Sequence, residues 1–212
     1  WRTTAHNGNQ EVWKSGFNGV EAYDGNQFIE LNASENATTY QNFTAAGGTT
    51  FTLNFAHRGR GGVDVMRVAI GSPNPVQLVR NEPELLGEEF IDLGNFSDGA
   101  DSWGYHSVTF TLPTGVGNEF SVRFTAVSTA AGNNGQGNFL DNISIGLPAP
   151  QIAQKTTSIL CTETANLTTT FTASNAGNIT WHTSSVATSD NLVANPTSVG
   201  PGRYYAAFYE TS

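Results

Sequence analysis

Basic residues and cysteine are scarce in this chain of 212 residues. Lys and Arg number 9 against 18 Asp and Glu, which gives a formal net charge of −9 at pH 7. A protein that neutralises nucleic-acid phosphates needs a basic surface that this composition does not supply, so the composition argues against nucleic-acid binding. The single cysteine, Cys161, provides no internal disulfide framework.

Long apolar runs and catalytic motifs are also missing. No stretch approaches the roughly 18–20 apolar residues of a membrane span. The chain starts at Trp1 without Met or a signal peptide, which we interpret as a fragment of a longer protein. The sequence contains no G-x-S-x-G, H-E-x-x-H or P-loop pattern and no Cys/His metal spacing. We therefore expect no enzyme, although a carboxylate pair for glycoside hydrolysis stays open because its separation depends on the fold.

Glycine and aromatic residues are plentiful and favour short strands joined by turns. The chain has 23 Gly, 11% aromatic residues and only 13% charged residues, a composition that suits β-structure more than helices. Strands with no helical pattern between them predict an all-β fold, an antiparallel jelly-roll β-sandwich over residues 1–147. Alternation of apolar and polar residues predicts strands at 28–31, 50–55, 65–70, 107–112, 120–127 and 139–145.

A second module is predicted after a Pro-bearing linker at 148–154. Three further strands, at 164–174, 178–184 and 202–210, are too few to close a sandwich comfortably. We therefore predict a truncated, partial Ig-like β-sandwich over residues 155–212. Cys161 would then pair with a cysteine beyond Ser212 if the compartment is oxidising.

The connection HRGRGG, at 57–62, gathers a histidine and two arginines in a glycine-rich loop. His57, Arg58 and Arg60 offer donors to sugar hydroxyls or to a carboxylate or sulfate of an acidic glycan, and Asp64 is a further candidate ligand-binding residue. Alternatively, one arginine pairs with Asp64, the only acid close in sequence, and the cluster is structural. Both interpretations stay open at this stage.

Two segments, 11–27 and 97–106, combine aromatic residues with Gly, Asn and Asp. We interpret 11–27 as a long loop. Exposed rings in such loops stack on the apolar face of a sugar while amides and carboxylates hold its hydroxyls. The alternative is that these rings cap one end of the sandwich core. The candidate ligand-binding residues of these segments are Trp13, Phe17, Asn18, Trp103 and Tyr105.

One acid, Asp141, is predicted to face the core. Alternation in FLDNISI (139–145) places this carboxylate on the same face as three apolar residues. A buried carboxylate requires a partner, which could be calcium, backbone N–H groups or an arginine. Glu30 is a second, weaker candidate ligand for a structural calcium ion.

The acidic segment 81–92 is interpreted as a solvated hairpin whose charges discourage edge-to-edge aggregation. A second calcium site there is the alternative interpretation.

Three stretches, at 11–33, 53–71 and 138–145, together resemble a jelly-roll module. Such modules are related to galactose-binding-like domains and carbohydrate-binding modules and recur in large bacterial surface adhesins. The stretch 178–210 similarly resembles an Ig-like repeat of secreted adhesins of the Bacteroidetes. Relatives of the first module begin with a strand of the type N-G-S-F-E, which is absent before Trp1.

This resemblance implies several properties as expectations. The partner would be a glycan or polysaccharide, the location extracellular or at the cell surface, and the neighbours further Ig-like repeats of the same chain. In relatives that bind structural calcium, the Asp of the closing strand, here Asp141, is a ligand together with a carboxylate on the missing first strand.

Taken together, these observations predict a non-catalytic carbohydrate-binding or adhesive module of a large secreted or cell-surface bacterial protein. Trp13 or Trp103 would stack on a sugar while the residues at 57–60 fix its polar groups. One alternative is a purely structural stalk module of an adhesin. Another is the accessory carbohydrate-binding module of a secreted polysaccharide-degrading enzyme.

Overall fold

The computed structural model describes residues 1–73, 86–130, 132, 134–148, 158–169 and 178–209. The chain divides into two units, Trp1–Gly146 and Leu147–Ser212, which are described separately below as unit 1 and unit 2. Among the described residues, no helix is both long and apolar enough to span a membrane.

The described part of unit 1 consists of two antiparallel five-stranded sheets. Its strands are β1 (Arg2–Thr3), β2 (Glu11–Lys14), β3 (Gln27–Glu30), β4 (Thr38–Thr44), β5 (Thr50–Arg58), β6 (Asp64–Gly71), β7 (Glu89–Asp98), β8 (Gly104–Thr111), β9 (Glu119–Ser128) and β10 (Phe139–Gly146). The first sheet has the order β1-β4-β9-β6-β7 and the second the order β2-β3-β10-β5-β8. This architecture confirms the predicted all-β jelly-roll sandwich.

The hydrophobic core lies between the two sheets. Both inner faces contribute, because alternate residues of a regular strand point to opposite faces of its sheet. Burying a large apolar side chain stabilises the fold by about 1.5–3 kcal/mol. Buried members of this core include Leu53, Phe55, Met66, Ile70, Leu112, Phe120, Phe124 and Leu140.

Four strands of unit 1 lie where the sequence pattern did not predict them, and one of them is the two-residue β1. The strand β2 occupies the start of the segment that was interpreted as a long loop. The strand β4 buries three consecutive residues, Thr38 to Tyr40, so it shows no alternation. In β7, Gly94 has a φ of 101° and the register against β6 shifts there, which breaks the pattern. Residues 89–92 of the acidic segment belong to β7, and 81–85 lie outside the described residues.

A β-bulge in β10 changes which side chains face the core. The register against β5 shifts between Asp141 and Ser144, and Asn142 has a φ of 47°. A bulge inserts an extra residue and so reverses the in-out alternation beyond it. Ile143 and Ile145 consequently pack against the core. The prediction that Asp141 shares their face is therefore wrong.

Unit 2 contains a two-stranded antiparallel sheet of β11 (Asn178–His182) and β12 (Tyr205–Tyr209). These strands match the predictions at 178–184 and 202–210. A small cluster of Leu167, Trp181 and Val199 forms its described core.

The predicted strand 164–174 is wrong in its described part. Ala165 forms one isolated bridge to Val199, and a 3₁₀ turn follows at Leu167–Thr169. Residues 170–174 and most of the predicted linker 148–154 lie outside the described residues. Cys161 is exposed and free, and its pairing with a later cysteine stays a prediction.

Candidate functional site

The outer face of the second sheet, which points away from the core, is divided into two halves. Residues 15–26, here called the covering loop, pack over the half formed by β2, β3 and β10. The other half, formed by β5 and β8, carries polar side chains at alternate positions.

The aromatic residues under the covering loop contact one another. Trp13 and Phe17 stack with ring centroids 3.5 Å apart and planes 8° apart. Trp103 meets Phe28 edge to face at 5.7 Å and donates its indole N–H to the carbonyl of Glu21 at 2.9 Å. Each of the three predicted stacking rings is half-buried. They hold the covering loop against the outer face of the sheet, in a cluster separate from the sandwich core, and this differs from the predicted cap at one end of that core.

The carboxylate of Asp141 anchors the covering loop. Its Oδ2 accepts the backbone N–H groups of Tyr23 at 2.7 Å and Asp24 at 3.1 Å, and its Oδ1 accepts that of Asn142 at 2.7 Å. Backbone N–H groups were one of the three partner types expected. Calcium binding at Asp141 and Glu30 stays a prediction.

Glu30 is buried, with 1% of its surface exposed, and forms an ion pair with Arg60. Nη1 of Arg60 lies 2.8 and 3.0 Å from the two carboxylate oxygens. The indole N–H of Trp13 and the backbone N–H of Gly137 donate to the same carboxylate at 2.9 and 2.7 Å. The expectation that an arginine pairs with Asp64 is therefore wrong, because β3 brings a different carboxylate to Arg60.

Asp64 instead accepts three backbone N–H groups from two loops. Its Oδ2 accepts those of Arg60 at 2.8 Å and Asn138 at 2.9 Å, and its Oδ1 accepts that of Ala130 at 2.7 Å. The residue has 0% of its surface exposed. A carboxylate in this position fixes loop conformation and is not available to a ligand.

His57 and Arg58 are also held by protein groups. His57 is fully buried, and its ring nitrogens contact Asp98 at 2.7 Å and Asn138 at 3.0 Å. The half-buried Arg58 donates to the backbone carbonyl of Ala100. The HRGRGG connection thus gathers its charges to clamp neighbouring loops, and the structural alternative describes it best.

Glu11, beside Glu30 in the β2–β3 pairing, gives a prediction about pH. Burial, the charge of Glu30 and a hydrogen bond to Glu30 raise the pKa of Glu11, against smaller opposing effects of Arg60 and Trp13. Just above the usual glutamate pKa, the folded chain retains a proton that the unfolded chain has lost. The free energy of unfolding therefore falls as pH rises through this range.

We expect Glu11→Gln to stabilise unit 1 at pH 7, with the gain disappearing below about pH 4, where the glutamate is protonated in both states. Urea unfolding of parent and variant between pH 4 and pH 7 measures this difference. Glu119→Gln, at an exposed position of β9, is the matched control. Parallel pH profiles of the parent and Glu11→Gln would contradict the prediction.

The open half of the outer face carries two exposed tyrosines. Tyr23 and Tyr105 are 43% and 52% exposed. Their rings are nearly parallel, at 14°, with centroids 5.9 Å apart. Tyr105 was a predicted ligand residue, and Tyr23 lies in the segment 11–27, which was interpreted as a long loop. The structure brings these two rings together.

Hydroxyl and amide groups continue from the tyrosines along β5 and β8. The hydroxyls of Thr50 and Thr111 hydrogen-bond at 2.8 Å, and a second Thr pair across the same strands does so at 3.2 Å. Asn54 donates to the hydroxyl of Ser144 at 3.4 Å. We call this surface the polar platform. It consists of Tyr23, Thr50, Thr52, Asn54, Tyr105, Ser107, Thr109, Thr111 and Ser144.

Most platform residues were not singled out in the sequence. A signal was available, because the polar positions of TTFTLN and SVTFT alternate with core residues in two predicted strands. What the sequence lacked was the adjacency of these strands, which pair from Thr50 opposite Thr111 to His57 opposite Gly104. Asn18, by contrast, lies in the covering loop, exposed and with a φ of 51°.

No protein-family model and no curated protein matches the chain. Solved structures similar to it include carbohydrate-binding modules and the enzymatically active domain of a bacteriophage tailspike protein. One is described as family 16 carbohydrate-binding module 2, with 16% identity, a TM-score of 0.41 and coverage of 64% of this chain and 84% of that one. Another is the C-terminal family 22 module of Clostridium thermocellum Xyn10B, with 12% identity, a TM-score of 0.43 and coverage of 66% and 82%. A third, TmCBM61 solved in complex with β-1,4-galactotriose, shows 12% identity, a TM-score of 0.39 and coverage of 65% and 81%.

Proposed function

We propose that unit 1 is a non-catalytic carbohydrate-binding module and that the polar platform is its ligand surface. The observation that supports this most directly is the pair of exposed tyrosines beside a strip of hydroxyl and amide groups on an open sheet face. Aromatic rings stack on the apolar face of a sugar, and fixed hydroxyls and amides bind its OH groups.

The platform fits an extended, neutral glycan. Tyr105 and Thr111 are six residues apart on β8, a span of about 20 Å at the rise of a β-strand. That length accommodates an oligosaccharide rather than a single sugar. The platform residues are all uncharged, and the nearby Arg58 and Arg60 contact protein groups. An acidic glycan would find no cation among the residues that define this surface.

We further propose that the chain belongs to a secreted or cell-surface bacterial protein. Unit 1 would serve there either as an adhesive module or as the accessory module of a polysaccharide-degrading enzyme. The net charge of −9 suits an exposed, soluble setting.

A structural stalk module is the second candidate function. It is favoured by the internal contacts of Trp13, Trp103 and the two arginines of the HRGRGG connection, which bind loops together. The two functions differ in what they expect of the polar platform, since a stalk requires no ligand there.

The test is a screen of the 212-residue chain against arrayed neutral and acidic polysaccharides, followed by affinity measurements with variants. We expect binding to a neutral polysaccharide. Tyr105→Ala or Tyr23→Ala should weaken it at least about tenfold, which is about 1.4 kcal/mol, whereas Tyr105→Phe, which keeps the ring, should bind nearly as the parent does. Repeating the measurement with calcium and after chelation tests the calcium prediction.

Threonine substitutions provide the matched control. Thr109→Val removes a platform hydroxyl, and Thr44→Val makes the same change at an exposed position of β4 in the other sheet. Only the first should reduce affinity. Absence of any glycan ligand, or a ligand whose affinity is unchanged by both tyrosine substitutions, would contradict the platform as the binding surface and favour the stalk.

A further inference from the structure

Two of the four histidines of the chain converge on one carboxylate at an end of the sandwich. Nδ1 of His57, in β5, and Nε2 of His106, in β8, each lie 2.7 Å from Oδ2 of Asp98, at the end of β7. All three ligand atoms are within 4.8 Å of one another. The two histidines come from the second sheet and the aspartate from the first, so the cluster joins both sheets.

The geometry points to a binding site for a divalent transition-metal ion, such as Zn²⁺, formed by His57, Asp98 and His106. This site is independent of the proposed glycan surface. Imidazole nitrogen and carboxylate oxygen are the mixed donor set that zinc, cobalt and nickel prefer, whereas calcium and magnesium take oxygen ligands. Three protein ligands leave at least one coordination position for water or another donor.

The hydrogen bond between His57 and Asn138 fixes the tautomer of the neutral His57 ring. The nitrogen that faces Asp98, Nδ1, is then an acceptor. The amide nitrogen of Asn138 donates to Oδ1 of Asn32 at 2.9 Å and to the carbonyl of Ser128 at 3.3 Å. Its Oδ1 must then accept from Nε2 of His57, at 3.0 Å. In the neutral ring, the lone pair of Nδ1 consequently points at the carboxylate of Asp98. An orienting hydrogen bond of this kind accompanies most metal-binding histidines.

Two lone pairs that face each other at 2.7 Å require a positive charge between them, which a proton or a metal ion supplies. With a metal ion, the ligand atoms would lie about 2.0–2.2 Å from it. The nitrogen–oxygen separations would then have to widen by roughly 0.6–0.8 Å, as tetrahedral coordination at those bond lengths demands. The side chains of Asp98 and His106 are 15% and 23% exposed, so an ion can enter from their side.

The surroundings hold these ligands in place. Phe55 and Phe96 flank the ring of His106, with centroids 5.2 and 4.9 Å away. Gly104, two residues before His106, leaves the space that the carboxylate of Asp98 occupies, because a Cβ at position 104 would overlap its Oδ1. The packed aromatic rings and the space at Gly104 keep the three metal-ligating atoms close together.

The experiment uses the 212-residue chain carrying Cys161→Ser, so that the exposed thiol cannot bind metal. Chelator-treated protein is titrated with Zn²⁺ by calorimetry and with Co²⁺ by absorption spectroscopy. We expect one ion per chain, and a rise in the thermal unfolding midpoint when Zn²⁺ is added. His106→Gln and Asp98→Asn should each weaken Zn²⁺ binding at least about tenfold, since losing even an outer-shell partner costs 10–100-fold.

His6→Gln is the matched control, because His6 is exposed and pairs with Glu35 outside this cluster. It should bind Zn²⁺ as the parent does. Failure of the parent to bind one equivalent, or unchanged affinity in both cluster variants, would overturn the proposal. If a cluster variant does not fold, X-ray absorption of the Zn²⁺-loaded parent decides, and a spectrum without two imidazole ligands would also overturn it.

Discussion

Replacing Asp64 with alanine is expected to lower the free energy of unfolding of unit 1 by about 3–4 kcal/mol. The carboxylate is fully buried and accepts the backbone N–H groups of Arg60, Ala130 and Asn138. Alanine leaves three donors without their acceptor, and each unsatisfied buried group costs about 1–3 kcal/mol. Water entering the space recovers part of that cost, which keeps the total below the sum.

Urea denaturation measures this loss, with Asp101→Ala, at an exposed position, as the matched control. The free energy of unfolding of Asp64→Asn should lie between those of the parent and of Asp64→Ala. Its amide oxygen still accepts a hydrogen bond, whereas its amide nitrogen turns a donor toward a backbone N–H group that the carboxylate had accepted. A loss below about 1 kcal/mol for Asp64→Ala, or one equal to the control, would show that the loops do not depend on this carboxylate.

The second large effect concerns the ion pair of Glu30 and Arg60. Arg60→Ala should lower the free energy of unfolding by about 3–5 kcal/mol. The substitution leaves the carboxylate of Glu30, whose side chain is 0% exposed, with only neutral hydrogen-bond donors. Adding Glu30→Gln to Arg60→Ala should restore part of the lost stability, because a neutral amide needs no counter-charge. The effects of the two substitutions on the free energy of unfolding are thus expected to be strongly non-additive.

Arg67→Ala is the control for this cycle. Arg67 pairs with Glu89 and Asp92 at the surface, with 32% of its side chain exposed, and exposed pairs contribute about 0–1 kcal/mol. Urea denaturation of the four proteins of the cycle and this control gives the comparison. If Arg60→Ala costs no more than Arg67→Ala, or if Glu30→Gln adds a further loss, the buried pair does not stabilise the loop as described.

The strands with clean alternation were predictable from the sequence. The predicted segment 50–55 lies within β5, and 107–112 overlaps β8. Prediction from the alternation of apolar and polar residues failed where the backbone departs from a regular pleat, at the bulge after Asp141 and at Gly94 in β7. One residue inserted into a strand reverses every later side chain, and composition alone does not mark where that occurs.

The partners of the HRGRGG connection were not predictable, because closeness in sequence is a poor guide to closeness in space. Asp64 lies four residues from Arg60, yet Arg60 donates only its backbone N–H to it. The side-chain partner, Glu30, is thirty residues away and reaches Arg60 through the pairing of β3 with β10 and of β10 with β5. The two arginines of this connection therefore bind protein groups. Eight of the nine residues of the polar platform are ordinary strand residues, and Tyr23 lies in the covering loop.

The position of β10 has a mechanical consequence. This last strand of unit 1 lies inside its sheet, paired with β3 on one side and with β5 along most of its length on the other. Tension applied to the chain beyond Gly146 would act first on the ladder to β5, whose pairs extend to Gly146, and then also on the two pairs with β3 at Phe139 and Leu140, whereas an edge strand is held by a single ladder. A module that has to stay bound to its ligand under tension benefits when its last strand is a central one. Force spectroscopy of unit 1 pulled from its C-terminal side would reveal that resistance.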